Sequence, residues 1–165
     1  MIEKILRKNF IINLLLVSSI FLLDRISKIY VIYLDQKFLG SELFSSKFLN
    51  ISLIWNEGIA FGLLSFEKES LYNILTLVIL VIILIIFFMI TQSNGLKKFA
   101  LLMILGGALG NVYDRLFYKA VPDFIDFHLE NFHWFIFNLA DIFISLGIIF
   151  MILLEFIDVR KDLKS

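Results

Sequence analysis

The 165-residue chain contains no cysteine. That absence excludes disulfides, a nucleophilic thiol and thiolate metal sites, and leaves the chain nothing to acylate as a lipoprotein, while saying little about redox compartment. Proline occurs once, as Pro122. Charge is sparse at 18% of residues, and 15 basic side chains balance 15 acidic ones, so there is no basic footprint for nucleic acid. Neither a Ser-x-x-Lys nor a Gly-x-Ser-x-Gly element is present, which disfavours serine chemistry. No repeat, low-complexity tract or linker divides the sequence, and residues 1–165 read as one membrane domain.

What is abundant is apolar surface. Hydrophobic side chains make up 60% of the chain, with 19 Phe and a mean hydropathy of +0.92, whereas a soluble domain is nearer half apolar. This is an integral membrane protein. Four segments reach the roughly 20 apolar residues needed to span a bilayer: 10–33, 71–91, 99–117 and 134–157. Basic residues precede the first one (Lys4, Arg7, Lys8), as in a signal peptide. Its length, and Asp24, Arg25 and Lys28 where a small-residue cleavage site would fall, predict a retained helix instead. The second segment is oily on all sides and reads as lipid-facing. Between them, 34–70 is polar enough to lie outside the bilayer core, and alternation at Leu49, Ile51, Leu53 and Trp55 predicts a short strand. The fold class expected is an all-α membrane protein of four transmembrane helices with a small extracytoplasmic β-containing segment.

Topology follows from the cations. Lys4, Arg7, Lys8, Lys97, Lys98, Arg160, Lys161 and Lys164 fall on one side when four helices are threaded. The positive-inside rule then predicts both termini in the cytoplasm and segments 34–70 and 118–133 outside. Depth adds to this. At about 1.5 Å per residue, Asp24 lies roughly 21 Å above the inner end of the first span, and Arg115 roughly 24 Å above the start of the third. Asp141 falls about 7–10 Å below the outer edge of a ~30 Å core. Three segments therefore bring polar groups to one level. Helical spacing also gives them common faces: Asp24, Ser27 and Lys28; Gly107, Asn111, Asp114 and Arg115; Asn138, Asp141 and Ser145. Gly106-x-x-x-Gly110 permits close approach by a helix or a substrate.

Acids cluster between Gly106 and Asp141: Asp114, Asp123, Asp126, Glu130 and Asp141. Carboxylates at or inside a hydrophobic segment are functional suspects by default. Asp24 and Lys28, at i, i+4, read as an ion pair bracing a helix rather than a catalytic couple. Asp114 beside Arg115 reads either as a compensated boundary charge or as part of the site. Residues 56–62 (NEGIAFG) fit a turn or a loop dipping into the membrane surface equally well. His128 and His133 are expected to be interfacial histidines on an outer loop rather than zinc ligands, since HLENFH lacks the HExxH order. Trp55, Trp134 and the tyrosines fit an interfacial aromatic belt. Asp123, Asp126 and Asp141 are left without cationic partners nearby in sequence. Burial raises the pKa of such carboxyls, and two together share a proton and suit metal-free acid–base hydrolysis. Spacing alone does not choose between Asp123 and Asp126.

Five blocks in order resemble the lipoprotein signal peptidases (signal peptidase II) of bacteria. They are Asp24-Arg25-Ile26-Ser27-Lys28; Asn56 to Gly62; Gly106 to Asn111 with Asp114-Arg115; Val121 to Phe127; and Phe137-Asn138-Leu139-Ala140-Asp141. The resemblance covers nearly the whole chain. It implies an aspartic endopeptidase of the bacterial cytoplasmic (inner) membrane, with its active site near the outer face. Such an enzyme cuts the signal peptide from a prolipoprotein before its diacylglyceryl-modified cysteine. The implied catalytic pair is Asp123 and Asp141. The implied substrate-binding or supporting positions are Asp24, Lys28, Asn56, Gly58, Asn111, Asp114, Arg115 and Asn138. No metal or cofactor is expected, and the partners are the lipidated substrate and membrane lipid, met by a monomer. Pro122 stands where relatives often have an aliphatic residue, and Phe135-Ile136 replaces a proline common before the Phe-Asn pair, which bears on where the fourth helix starts. A proton- or ion-coupled transport component is the rival from another class. The apolar cytoplasmic halves of the first, third and fourth spans offer it no path. A membrane-assembly scaffold is the third reading, one that would tolerate loss of the unpaired aspartates.

Overall fold

Long runs of Leu, Ile and Phe with no proline contain no helix breaker, and in an apolar solvent a helix is the local structure that satisfies its own backbone. The computed structural model describes residues 2–58, 69–130 and 132–162, with side chains for 9–58, 72–130 and 132–158. In chain order it contains α1 (Ile2–Lys37), β1 (Phe44–Ser45), β2 (Leu49–Asn56), α2 (Glu69–Gln92), α3 (Gly95–Tyr118), β3 (Val121–Leu129), β4 (Phe132–Phe137) and α4 (Leu139–Asp162). All four helices are long and apolar enough to cross a membrane. Their outward faces are bulky and bare: Leu77, Leu84 and Phe88 on α2, and Ile149, Leu153 and Phe156 on α4, are each at least half exposed.

The strands form one antiparallel sheet in the order β1-β2-β3-β4. It lies at the end of the bundle where α1 and α3 finish and α2 and α4 begin. Lys119, in the left-handed region at φ 60°, ends α3 and turns the chain into β3. β3 is the strand that matters most. It pairs with β2 through Ile54↔Asp123 and Asn56↔Val121, and with β4 through His128↔His133. Its neighbours each carry an extra residue at a register shift while β3 runs through unbroken. Such bulges bend the partner strand and increase local twist.

Two expectations need correction. The four span-length helices and a β-containing segment are present as expected, but the β part is larger: the strand at 49–56 is one of four, and segment 118–133 contributes β3 and the start of β4. Nor does the fourth helix begin at 134. Residues 134–137 belong to β4, and α4 starts at Leu139. The aromatic run FHWFIF looks like the head of a span because it is apolar, but aromatic residues also favour strands, and β3 is there to pair with it. Of the 56–62 stretch, Ile59 to Gly62 lie outside the described residues.

α3 is the central helix, packed against each of the other three. Leu101, Leu102, Leu105 and Val112 form a buried apolar cluster with Ile83 and Ile90 of α2. On its other sides α3 approaches its neighbours too closely for side chains. A Cβ on Gly106 would sit 2.9 Å from Ile20 of α1, and one on Gly107 would sit 2.5 Å from the Ala140 carbonyl of α4. A Cβ on Gly110 would strike the Asp24 carboxylate. The glycine spacing thus serves helix–helix approach. Gly107→Val should lower stability by about 1–3 kcal/mol, read as a reduced Tm in detergent; an unchanged Tm would contradict this packing.

Candidate active site

Helical spacing on α1 puts Asp24, Arg25 and Lys28 where they face α3, and the three are buried. Lys28 Nζ lies 3.0 Å from Asp24 Oδ2 and 2.7 Å from Asp114 Oδ2. Arg25 spans the same two acids, at 3.1 Å from Asp24 and 2.5 Å from Asp114, and stacks 4.8 Å from the Tyr113 ring centroid. Two cations and two anions cancel, which is what burial of ions in an apolar bundle demands. Asp24 has a further partner on α4, accepting a hydrogen bond from the Ala140 N–H at 3.1 Å. The i, i+4 pair is present and acts as a brace across three helices.

Asp114 and Arg115 do not compensate each other. Consecutive helical residues point in different directions, so Asp114 turns to α1 while Arg115 donates to the Asn111 carbonyl (3.3 Å) and the Gly58 carbonyl (3.0 Å). Ser27 also leaves the site, since its hydroxyl bonds to the Asp24 carbonyl of its own helix. Arg25 was missed as a site residue. Its spacing of three from Lys28 was the available signal.

From this cluster a line of amides leads to the two remaining carboxyls. Lys28 Nζ donates to Asn111 Oδ1 at 2.8 Å, and Asn111 Nδ2 donates to Asp141 Oδ1 at 2.8 Å. Asp141 sits in the first turn of α4, where Asn138 caps the helix: Asn138 Oδ1 accepts the Asp141 N–H (3.1 Å), and Asp141 Oδ2 accepts the Asn138 N–H (3.2 Å). This reciprocal arrangement is a capping box. The spare Nδ2 of Asn138 donates to Asp123 Oδ1 at 2.6 Å. Asn56 Nδ2 donates to the other oxygen, Asp123 Oδ2, at 2.8 Å, and is itself fixed by the Gly58 N–H at 2.8 Å. One bonded network therefore joins Asp24, Lys28, Asn56, Gly58, Asn111, Asp114, Arg115, Asp123, Asn138 and Asp141.

The electrostatics separate Asp123 from the compensated acids. Burial, followed by the nearby charge of Asp141, pushes its carboxyl up from 3.8 to about 6 despite the amide donors. Such a group holds its proton well into the range where an ordinary aspartate is ionised. Asp126 is not part of this pair. The hairpin brings His133 within 2.8 Å of its Oδ2, a partner invisible to a reading of near neighbours in sequence. His128 and His133 lie on paired strands, not on a loop. Tyr72 does not belong to an interfacial belt either: it is 5% exposed with a buried hydroxyl, whereas Trp134 is 66% exposed. Beside the carboxyls a cavity of about 600 Å³ opens between the sheet and α4, walled by Phe48, Phe127, Phe135, Phe137 and Ile142, with Asp141 at its edge. An apolar chamber with a few convergent polar groups is the usual form of a ligand site.

Four apolar helices capped by a sheet, with a paired-carboxyl centre between them, define a polytopic membrane protein with an enclosed polar site. The profile of the signal peptidase (SPase) II family matches residues 16–157, and the chain belongs to that family of peptidases. The lipoprotein signal peptidase of Pelagibacter ubique (strain HTCC1062) is 45% identical over 153 residues, covering 93% of this chain and 92% of its own. That of Anaplasma marginale (strain Florida) is 38% identical, covering 90% and 86%. A bacterial membrane enzyme structure solved by the in meso method at 2.3 Å resolution superposes with a TM-score of 0.72 at 30% identity, covering 90% of both chains.

Three outcomes follow from the charges. Lys28→Met leaves two buried acids short of a cation and should destabilise the protein by about 3–5 kcal/mol, measured by thermal unfolding in detergent. Asp123 should titrate near pH 6, seen as loss of its protonated-carboxyl infrared band as pH rises. Asp141→Asn removes a negative neighbour and should move that titration to lower pH; no movement would mean that the two carboxyls do not interact.

Proposed function

We propose that the chain is an endopeptidase that removes signal peptides from lipid-modified prolipoproteins, using Asp123 and Asp141 as a metal-free acid–base pair. The observation that carries this reading is the bridging of both carboxyls by Asn138, with Asp123 pushed up to about 6. Two interacting acids of this kind hold one proton between them over a range of pH and titrate jointly.

The ionised member takes a proton from a water molecule as that water's oxygen attacks the scissile carbonyl carbon. The protonated member gives its proton to the carbonyl oxygen, forming a tetrahedral diol. Collapse of the diol breaks the C–N bond, and the proton collected from water passes to the leaving amine. A carboxylic acid and an amine are released and the pair recovers its single proton. Asn56, Asn111 and Asn138 hold the carboxyl oxygens in place, and Arg115 fixes the Gly58 backbone at the site's edge.

Substrate class rests on the names borne by the relatives and on the apolar cavity beside Asp141, whose aromatic walls suit lipid or signal-peptide side chains. The cation distribution supports a bacterial cytoplasmic-membrane location with both termini inside and the sheet and site near the outer face. All the site groups come from one chain, which supports a monomer as the working unit.

Cleavage of a diacylglyceryl-modified precursor by purified protein tests the reading. Asp123→Asn and Asp141→Asn should each lose activity by about 10²- to 10⁴-fold or more while inserting into membranes normally. Wild-type turnover by either variant would overturn the assignment.

A further inference from the structure

A second set of chemically capable side chains lies on the β3–β4 hairpin. Asp126 and His128 are two apart on β3, hence on one face of the strand, and His133 is the register partner of His128 on β4. The two imidazoles stack with centroids 5.2 Å apart. One donor atom from each of Asp126, His128 and His133 lies within 4.8 Å of the others. We propose that these three residues form a zinc-binding site.

The state of the donor atoms supports a ligand. The Asp126 side chain is 7% exposed, and His133 satisfies only its Oδ2. Asp126 Oδ1 and His128 Nδ1 are buried without any hydrogen-bond partner. Buried polar atoms are expensive to leave unmatched, and here two belong to the same cluster. A cation between the residues would satisfy both. His133, at 54% exposure, leaves the cluster open to solvent on one side, so an ion has a way in and a water can complete the coordination.

The donor set selects the metal. Calcium and magnesium take mainly oxygen ligands, whereas two imidazoles and one carboxylate with an open fourth position suit zinc. Tetrahedral bonds of about 2.0–2.1 Å place ligand atoms roughly 3.4 Å apart. Side-chain adjustments of an ångström or so therefore close the cluster around an ion. The histidines' spacing alone did not suggest this, because the cluster needs β3–β4 pairing to bring His133 beside Asp126 and His128. The site is separate from the acid pair. It clamps β3, which carries Asp123, to β4, which leads into Asn138 and α4, and His128 also lines the cavity that reaches Asp141. A bound ion would stiffen the hairpin wall of that cavity.

The test uses full-length, tag-free protein in detergent, titrated with zinc ion alone by calorimetry and equilibrium dialysis. Saturable binding of one zinc per chain is expected, together with a zinc-dependent rise in Tm. His133→Gln, at an exposed position, and His128→Gln should each weaken binding by at least about tenfold and abolish the rise in Tm, while melting like the wild type without zinc. Absence of one-to-one saturable binding by the wild type, or binding equally tight in both variants, overturns the proposal.

Discussion

The structure depends on burying a balanced set of ions within an apolar bundle. Asp24, Lys28 and Asp114 have no solvent contact, and Arg25 has almost none. Each would cost several kcal/mol to bury alone, and a paired cluster of this kind fixes geometry more than it adds stability. Because its charges come from α1 and α3, and Asp24 also receives the Ala140 N–H, it sets the relative height of three helices. The glycines of α3 allow the backbones to come near enough for that register to be read.

Neutralising the cluster internally has a second effect. Its cations are already matched, so Asp123 and Asp141 are held by amides instead. Asn56, Asn111 and Asn138 supply hydrogen-bond donors without supplying charge. A lysine in any of those places would pull a carboxyl toward permanent ionisation. Amide donors fix the oxygens while burial keeps the Asp123 proton in play near neutral pH. This division between matched ions that set position and amide-held acids, with the Asp123 titration kept near neutral pH, is what the proposed chemistry would rely on.

Much of this was legible in the sequence. Helix existence, the common level expected for Asp24, Arg115 and Asp141, and most of the shared faces follow from 3.6-residue periodicity and apolar length, which are local properties; Ser27 and the divergence of Arg115 from Asp114 are the exceptions. What was not legible depended on strand pairing. FHWFIF carries no alternation to separate it from the span that follows, so β4 merged into α4. VPDFIDFHL has its two acids three apart, hence on opposite faces of a strand, which breaks the alternation, and β3 passed for a loop. Missing the hairpin also hid the contact of Asp126 with His133, which is created by the turn and not by proximity along the chain. The choice of Asp123 over Asp126 came from family likeness; in the structure the two differ because one meets amides and the other an imidazole.

Asn138 fastens both carboxyls and also begins α4. Helix ends are ordinarily the first places to fray, yet here unwinding even one turn would part the two acids. For the proposed acid–base pair, competence and the integrity of that turn are then a single equilibrium: any opening that loosens the sheet-side end of α4 would disarm the pair, and every reclosure would rearm it without a separate alignment step.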